Sequence, residues 1–260
     1  MTASRANPQV QAGLEGVVAS TSSVSFVDGQ EGRLLYRGYD IHDLAAHSSF
    51  EEVVYLLWRG DLPTGAQLET FRSSLGAARA VHPKVGRLLA SLPRSADPMD
   101  VLRTVVSALG LYDPEVHDQS PESNLRKATR LVGQFPTIVA GFHRLRQKRS
   151  PVKPRPDRSH AADFLTMLSG TDPAPEHVRA MDVALILQAD HELNASTFAA
   201  RVTGATLSDI YAATTSAIGT LKGPLHGGAN EGVMKLLQEI GTLDRVEPAV
   251  VERLTRKEKI

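Results

Sequence analysis

The feature that most constrains this chain is the repeated placement of helix-start signals ahead of apolar runs with a period of three to four residues. Ser49 stands three residues before Glu52, and Thr64 three before Gln67. This is the capping-box spacing, in which each side chain bonds the other residue's backbone N–H. Behind Thr64, residues Leu68, Phe71, Leu75 and Ala78 recur at spacings of 3, 4 and 3. A helix gathers them on one face, whereas a strand would scatter them over two. Further helices are predicted over 99–111, 123–147, 161–169, 176–190, 208–222 and 230–240, with Pro, Gly, Asp or Ser between them. The fold class is therefore all-α. One stretch departs from it: residues 16–37 mix β-branched residues with Ser and Thr around an Asp28-Gly29 turn signal, which predicts a small N-terminal β-hairpin. No self-similarity of repeat length is present, which argues against a solenoid.

Composition narrows the function. The 260 residues carry 29 basic and 29 acidic side chains, so no global field draws the chain to nucleic acid or to an anionic membrane. With no Cys there is neither a disulfide framework nor a thiolate nucleophile or metal ligand. No run reaches the roughly 18 continuous apolar residues of a membrane span, and the first residues lack a signal-peptide core, so a cytoplasmic address is expected. The segment 144–160 holds seven Lys or Arg, one Asp and three Pro, and reads as an exposed loop between helices. It could serve as an anion patch or simply be solvated; without aromatic residues for base stacking, nucleic-acid binding is not expected.

Familiar cofactor motifs are absent: there is no GxGxxG, no P-loop and no GxSxG. His191-Glu192 hints at a zinc helix, but the position of the second His is Ala195, and no metal site is expected. Two segments remain. In the first, the apolar run VALILQAD breaks into His191-Glu192-Leu193-Asn194-Ala195-Ser196. Two readings stand: a His near a helix C-terminus, favoured there by the dipole, or His191 and Asn194 aimed at an anionic or carbonyl-bearing ligand. The second is Lys222-Gly223-Pro224-Leu225-His226-Gly227-Gly228. Gly223 fits a helix C-cap, Pro224 a stop, and the two glycines after His226 leave room for backbone or ligand. The positive end of the helix that follows disfavours an imidazolium, leaving a neutral His226 able to donate a hydrogen bond to a developing oxyanion.

With these residues in view, the chain closely resembles the citrate synthases, above all the short bacterial and archaeal type. The segments FEEVVYLLWRGDLPT, DPMDVLRTVVSALG, ILQADHELNASTFAARV and KGPLHGGANE carry the resemblance, and ADHELNAST and GPLHGGANE are highly specific. Asp97 and Asp163 depart from the family's usual His and Asn, and neither is expected to touch the chemistry. The resemblance implies a mostly helical two-domain homodimer, with a large domain over 1–221 and a small domain beginning at 222. It implies a Claisen-type condensation of acetyl-CoA with oxaloacetate to give citrate and CoA, the entry step of the tricarboxylic acid cycle. His226 would stabilise the enol; His191 and Asn194 would bind oxaloacetate. The CoA thioester is a substrate, and no cofactor is implied. Helices near 178–188 and 210–221 would contribute to the dimer contact.

Family members run on for roughly a hundred residues past the point where this sequence stops, a domain-sized stretch. That part would supply a second catalytic His, the catalytic Asp, the substrate arginines and most of the CoA pocket. Two alternatives stand beside citrate synthase. One is 2-methylcitrate synthase acting on propionyl-CoA, since one methylene changes binding by only about 1–3 kcal/mol. The other is a catalytically incomplete chain with a dimerising or binding role.

Overall fold

The computed structural model describes residues 20–256, so residues 16–19 of the predicted hairpin stretch lie outside it. Strand β1 (Ser25–Asp28) pairs antiparallel with β2 (Arg33–Tyr36), and β2 pairs with a two-residue β3 (Tyr39–Asp40), giving an order β1-β2-β3. The hairpin is thus one strand larger than predicted. Its turn also differs from the Asp28-Gly29 reading. The Asp28 carboxylate accepts the N–H groups of Gln30 and Glu31, both at 3.0 Å, and the left-handed residue is Gly32 at φ 64°. The connection therefore spans four residues, with the Asp side chain doing the work expected of a tight two-residue turn.

Twelve α-helices are described: α1 (Ile41–His47), α2 (Phe50–Arg59), α3 (Gly65–Ala77), α4 (Pro83–Ser91), α5 (Pro98–Leu109), α6 (Pro121–Arg146), α7 (His160–Ser169), α8 (Pro175–Leu187), α9 (Ala195–Ala205), α10 (Ile210–Leu221), α11 (Gly228–Ile240) and α12 (Val246–Thr255). Both capping boxes form, at the starts of α2 and α3. Asp97, a departure from the family pattern, is the N-cap of α5, accepting from Met99 N and Asp100 N.

Two hydrophobic cores organise these elements. The larger joins α4, α5, α6 and α10 through residues such as Val85, Val105, Ile138, Tyr211 and Ile218. The smaller joins the sheet to α1, α2 and α8 through Tyr36, Leu44, Val53, Leu56 and Ile186. Fully burying one such side chain contributes about 1.5–3 kcal/mol, so these contacts outweigh any surface ion pair in fixing where α8 and α10 lie. Between the cores, His160 opens α7 at 4% exposure, its ring 5.0 Å from that of Phe50. Burial, assisted by the Arg79 charge, pushes its imidazole down to about 4.

The basic segment before α7 is exposed along most of its length, as predicted, but its backbone is pinned from below. Arg79, only 2% exposed, donates to the carbonyl oxygens of Arg155 at 2.5 Å and Arg158 at 2.8 Å and pairs with Asp163 at 3.1 Å. Asp163, the second departure, also accepts the Arg155 N–H. Its role here is to hold a buried guanidinium.

Candidate active site

The loop 188–194 begins where α8 stops. The predicted helix runs to Asp190, but α8 ends at Leu187, because the Tyr36 hydroxyl takes over the pairing of the chain there. That hydroxyl donates to the Ile186 carbonyl at 3.1 Å and accepts the Asp190 N–H at 3.1 Å. Burial raises the Tyr36 phenol above its ordinary pKa, so it remains protonated and able to donate. Glu192 then adopts a left-handed backbone at φ 58°, unusual for a residue with a Cβ. His191 stands exposed in this loop, just beyond the C-terminal end of α8.

Asn194 is the N-cap of α9, a helix the sequence reading did not predict. Its Oδ1 accepts the Thr197 N–H at 3.0 Å and lies 2.8 Å from the Ser196 hydroxyl. The side-chain oxygen is therefore committed to the cap, and the amide nitrogen is the part left for another partner.

The second loop follows α10. Lys222, rather than Gly223, is the C-cap, and its ammonium pairs with Asp100 of α5 at 2.5 Å. This hydrogen bond holds the Asp100 carboxyl below its ordinary pKa. The chain then folds tightly: His226 N–H donates to Gly223 O at 2.9 Å, Gly227 N–H to Leu221 O at 2.9 Å and Gly228 N–H to Gly223 O at 3.3 Å. A Cβ on Gly227 would lie 2.4 Å from the Leu221 carbonyl oxygen. This glycine is required by backbone packing within the turn, the first of the two readings given to it.

His226 is half-buried, and its Nε2 lies 2.9 Å from the Ser196 hydroxyl. Ser196 thus bridges Asn194 and His226, two of the three residues singled out in the sequence, across thirty positions of chain. No bond joins His191 to this group among the described residues. Ser196 ends the polar segment singled out in the sequence, which assigns it no role. The available signal was an Asn three residues before Thr197, an N-cap spacing whose recognition would have placed Ser196 on the first turn of α9.

Behind the site, α10 is anchored through Tyr211, whose hydroxyl bonds the Asp113 carboxylate. Burial and Asp113 push the Tyr211 phenol well up. Burial alone would raise Asp113 too, but hydrogen bonds from Tyr211, the Glu115 backbone and Arg130 bring its carboxyl below the ordinary value. The most voluminous groove described, about 810 Å³ between α2, α3 and α6, contains no residue of either loop, so volume does not locate this site.

Comparison with known proteins bears on the same two loops. A family model described as the citrate synthase C-terminal domain matches residues 13–260. Citrate synthase 2 of Bacillus subtilis (strain 168) is 52% identical over 249 residues, covering 95% of this chain and 66% of its own length. A 2-methylcitrate synthase of Mycobacterium tuberculosis is 47% identical over 253 residues, covering 97% of this chain and 64% of its own. The chain therefore spans just under two thirds of the length of these relatives. Among solved structures, a ternary complex of carboxymethyl coenzyme A and oxaloacetate with citrate synthase from Thermoplasma acidophilum superposes with a TM-score of 0.87 at 30% identity, over 96% of this chain and 66% of that one.

Proposed function

The chain belongs to the citrate synthase family, and from that premise we propose that it condenses acetyl-CoA with oxaloacetate, giving citrate and CoA after hydrolysis of the citryl thioester. Removal of a methyl proton from acetyl-CoA puts negative charge on the thioester oxygen, and His226 donates a hydrogen bond to that oxygen as the enol forms. The enol carbon then attacks the oxaloacetate ketone, with the substrate held by His191 and the Asn194 amide.

The single observation that carries this reading is the Ser196 bridge. It draws together the two most specific sequence segments and fixes the His226 ring from one nitrogen. Ser196 has one hydroxyl proton. When it points to Nε2 of His226, the imidazole carries its own proton on Nδ1 and is a donor there, as enol stabilisation needs. When it points to Asn194, His226 must donate through Nε2 and Nδ1 becomes an acceptor. The proposed chemistry selects the first arrangement, in which Asn194 Oδ1 keeps the Thr197 N–H as its partner.

The same reading takes the domain boundary to lie near Lys222 and the protein to act in the cytoplasm as a homodimer. Half-exposed or exposed apolar side chains on and beside α8, α9 and α10, among them Leu187, Phe198, Val202 and Leu207, support a partner on that side. No helix among the described residues is long and apolar enough to cross a membrane. The Mycobacterium relative supports the second reading, a propionyl-CoA substrate.

Release of CoA, followed with a thiol reagent, separates the readings, and the chain itself contributes no thiol. A higher kcat/KM for acetyl-CoA than for propionyl-CoA in the full-length protein is expected. The reverse ratio assigns 2-methylcitrate synthase, and no CoA release with either thioester leaves only the dimerising or binding role.

A further inference from the structure

The small sheet is not merely packed beside the helices; its outer strand grips the loop that carries His191. The Ser25 hydroxyl donates to the Asp190 carboxylate and accepts the Glu192 N–H at 3.1 Å. The Val27 N–H, on the edge strand β1, donates to Glu192 Oε1 at 2.8 Å. Asp190 Oδ2 also receives the Glu192 N–H at 3.0 Å, and the Tyr36 hydroxyl receives the Asp190 N–H. The two residues flanking His191 are thus each held by the sheet, one through its backbone and carboxylate, the other through its backbone and carboxylate as well.

This arrangement has a physical oddity to explain. Glu192 sits at φ 58°, a conformation that costs of order 1–3 kcal/mol for a residue with a Cβ and persists only where its surroundings impose it. Its two bonds to β1 supply that constraint. Ser25 is 7% exposed and pairs across the sheet with Tyr36, which is fully buried in the smaller core, so both partners are held apart from the loop's own contacts. His191, by contrast, has an exposed side chain on a seven-residue connection and would otherwise sample many directions.

We propose that Ser25 and Glu192, through the bonds joining β1 to loop 188–194, are positioning residues that aim His191 at oxaloacetate. This rests on the substrate assignment made above. It is distinct from the Ser196 bridge, which acts on His226 and Asn194.

The test compares Ser25→Ala, Glu192→Ala and Glu192→Gln in the full-length protein. Hydrogen exchange of the backbone amides over 188–194 reads the grip itself. About tenfold faster exchange is expected in Ser25→Ala and Glu192→Ala, with Glu192→Gln near wild type because its amide oxygen still accepts from Val27. Oxaloacetate titration then reads the consequence: about tenfold weaker half-saturation in the two Ala variants, with half-saturation by acetyl-CoA within twofold of wild type and recovery in Glu192→Gln. Unchanged exchange in both Ala variants overturns the grip. Faster exchange with unchanged oxaloacetate affinity, or equal loss for both substrates, overturns the positioning role while leaving the substrate assignment intact. Failure of the wild-type protein to bind oxaloacetate overturns that assignment and, with it, the purpose given to the grip. An unaltered melting temperature in Glu192→Gln shows that the comparison is made on folded protein.

Discussion

A hydroxyl has one proton to give, and Ser196 sits within hydrogen-bond reach of two groups that can take it. This makes the smallest side chain of the site a determinant of which imidazole nitrogen of His226 is protonated. Replacing Ser196 by Ala leaves the ring free to turn and to choose its tautomer, and kcat is expected to fall roughly tenfold or more, the effect of losing about one hydrogen bond at the transition state. His226→Ala removes the donor itself and is expected to lower kcat by about a hundredfold or more. Because His226 is half-buried and packs little, its variant should melt within a few degrees of wild type. Steady-state rates with a parallel melting curve check both, and a His226→Ala enzyme of near-normal kcat refutes the assignment. At this scale the sequence was informative where a residue stands among glycines or in a dense polar run, as His226 and Asn194 do. It gave no role to Ser196, whose importance comes from a partner thirty positions away.

Among elements, the helices with capping boxes and continuous apolar faces were legible from pattern alone, α2 and α3 above all. Helix α9 was not, because no residue in it is buried and so no apolar stripe announces it. The predicted helix over 176–190 overruns α8 by three residues, Gln188, Ala189 and Asp190. What ends α8 is Tyr36, a residue about 150 positions earlier, and no local rule could supply it. Of the two readings of the glycines after His226, room for backbone or for a ligand, Gly227 meets the first. Gly227 and, as a contrast, Gly232 of α11 make this packing testable by melting. Gly227→Ala forces a Cβ to 2.4 Å from a carbonyl oxygen and is expected to destabilise the protein by about 1–3 kcal/mol. Gly232→Ala, inside α11 with open space around its added carbon, is expected to stabilise by about 0.5–1 kcal/mol. Equal effects of the two would show that the turn is not tightly packed.

Over the whole molecule, the buried His160 ties stability to acid. Its folded pKa is lowered from 6.5 to about 4, so folding excludes a proton that the unfolded chain binds. The stability it permits is complete above about pH 6.5 and is lost as pH falls toward 4, by roughly 3 kcal/mol over that window. A His160→Phe variant, which has no proton to exclude, should show a visibly flatter decline of melting temperature between pH 6.5 and 4; an identical slope would place the acid sensitivity elsewhere. The bonds between β1 and loop 188–194 also link regions 165 positions apart in the chain. At synthesis rates of about 5–20 residues per second, strand β1 leaves the ribosome roughly ten to thirty seconds before the glutamate that covers its rim. Until then the Val27 N–H on the rim of β1 lacks its Glu192 acceptor, beside Phe26 and Val27 side chains that stay exposed even in the folded protein. Newborn chains are therefore most open to illegitimate strand pairing before residue 192 has emerged, and a chaperone that shields the N-terminal hairpin would act in that interval.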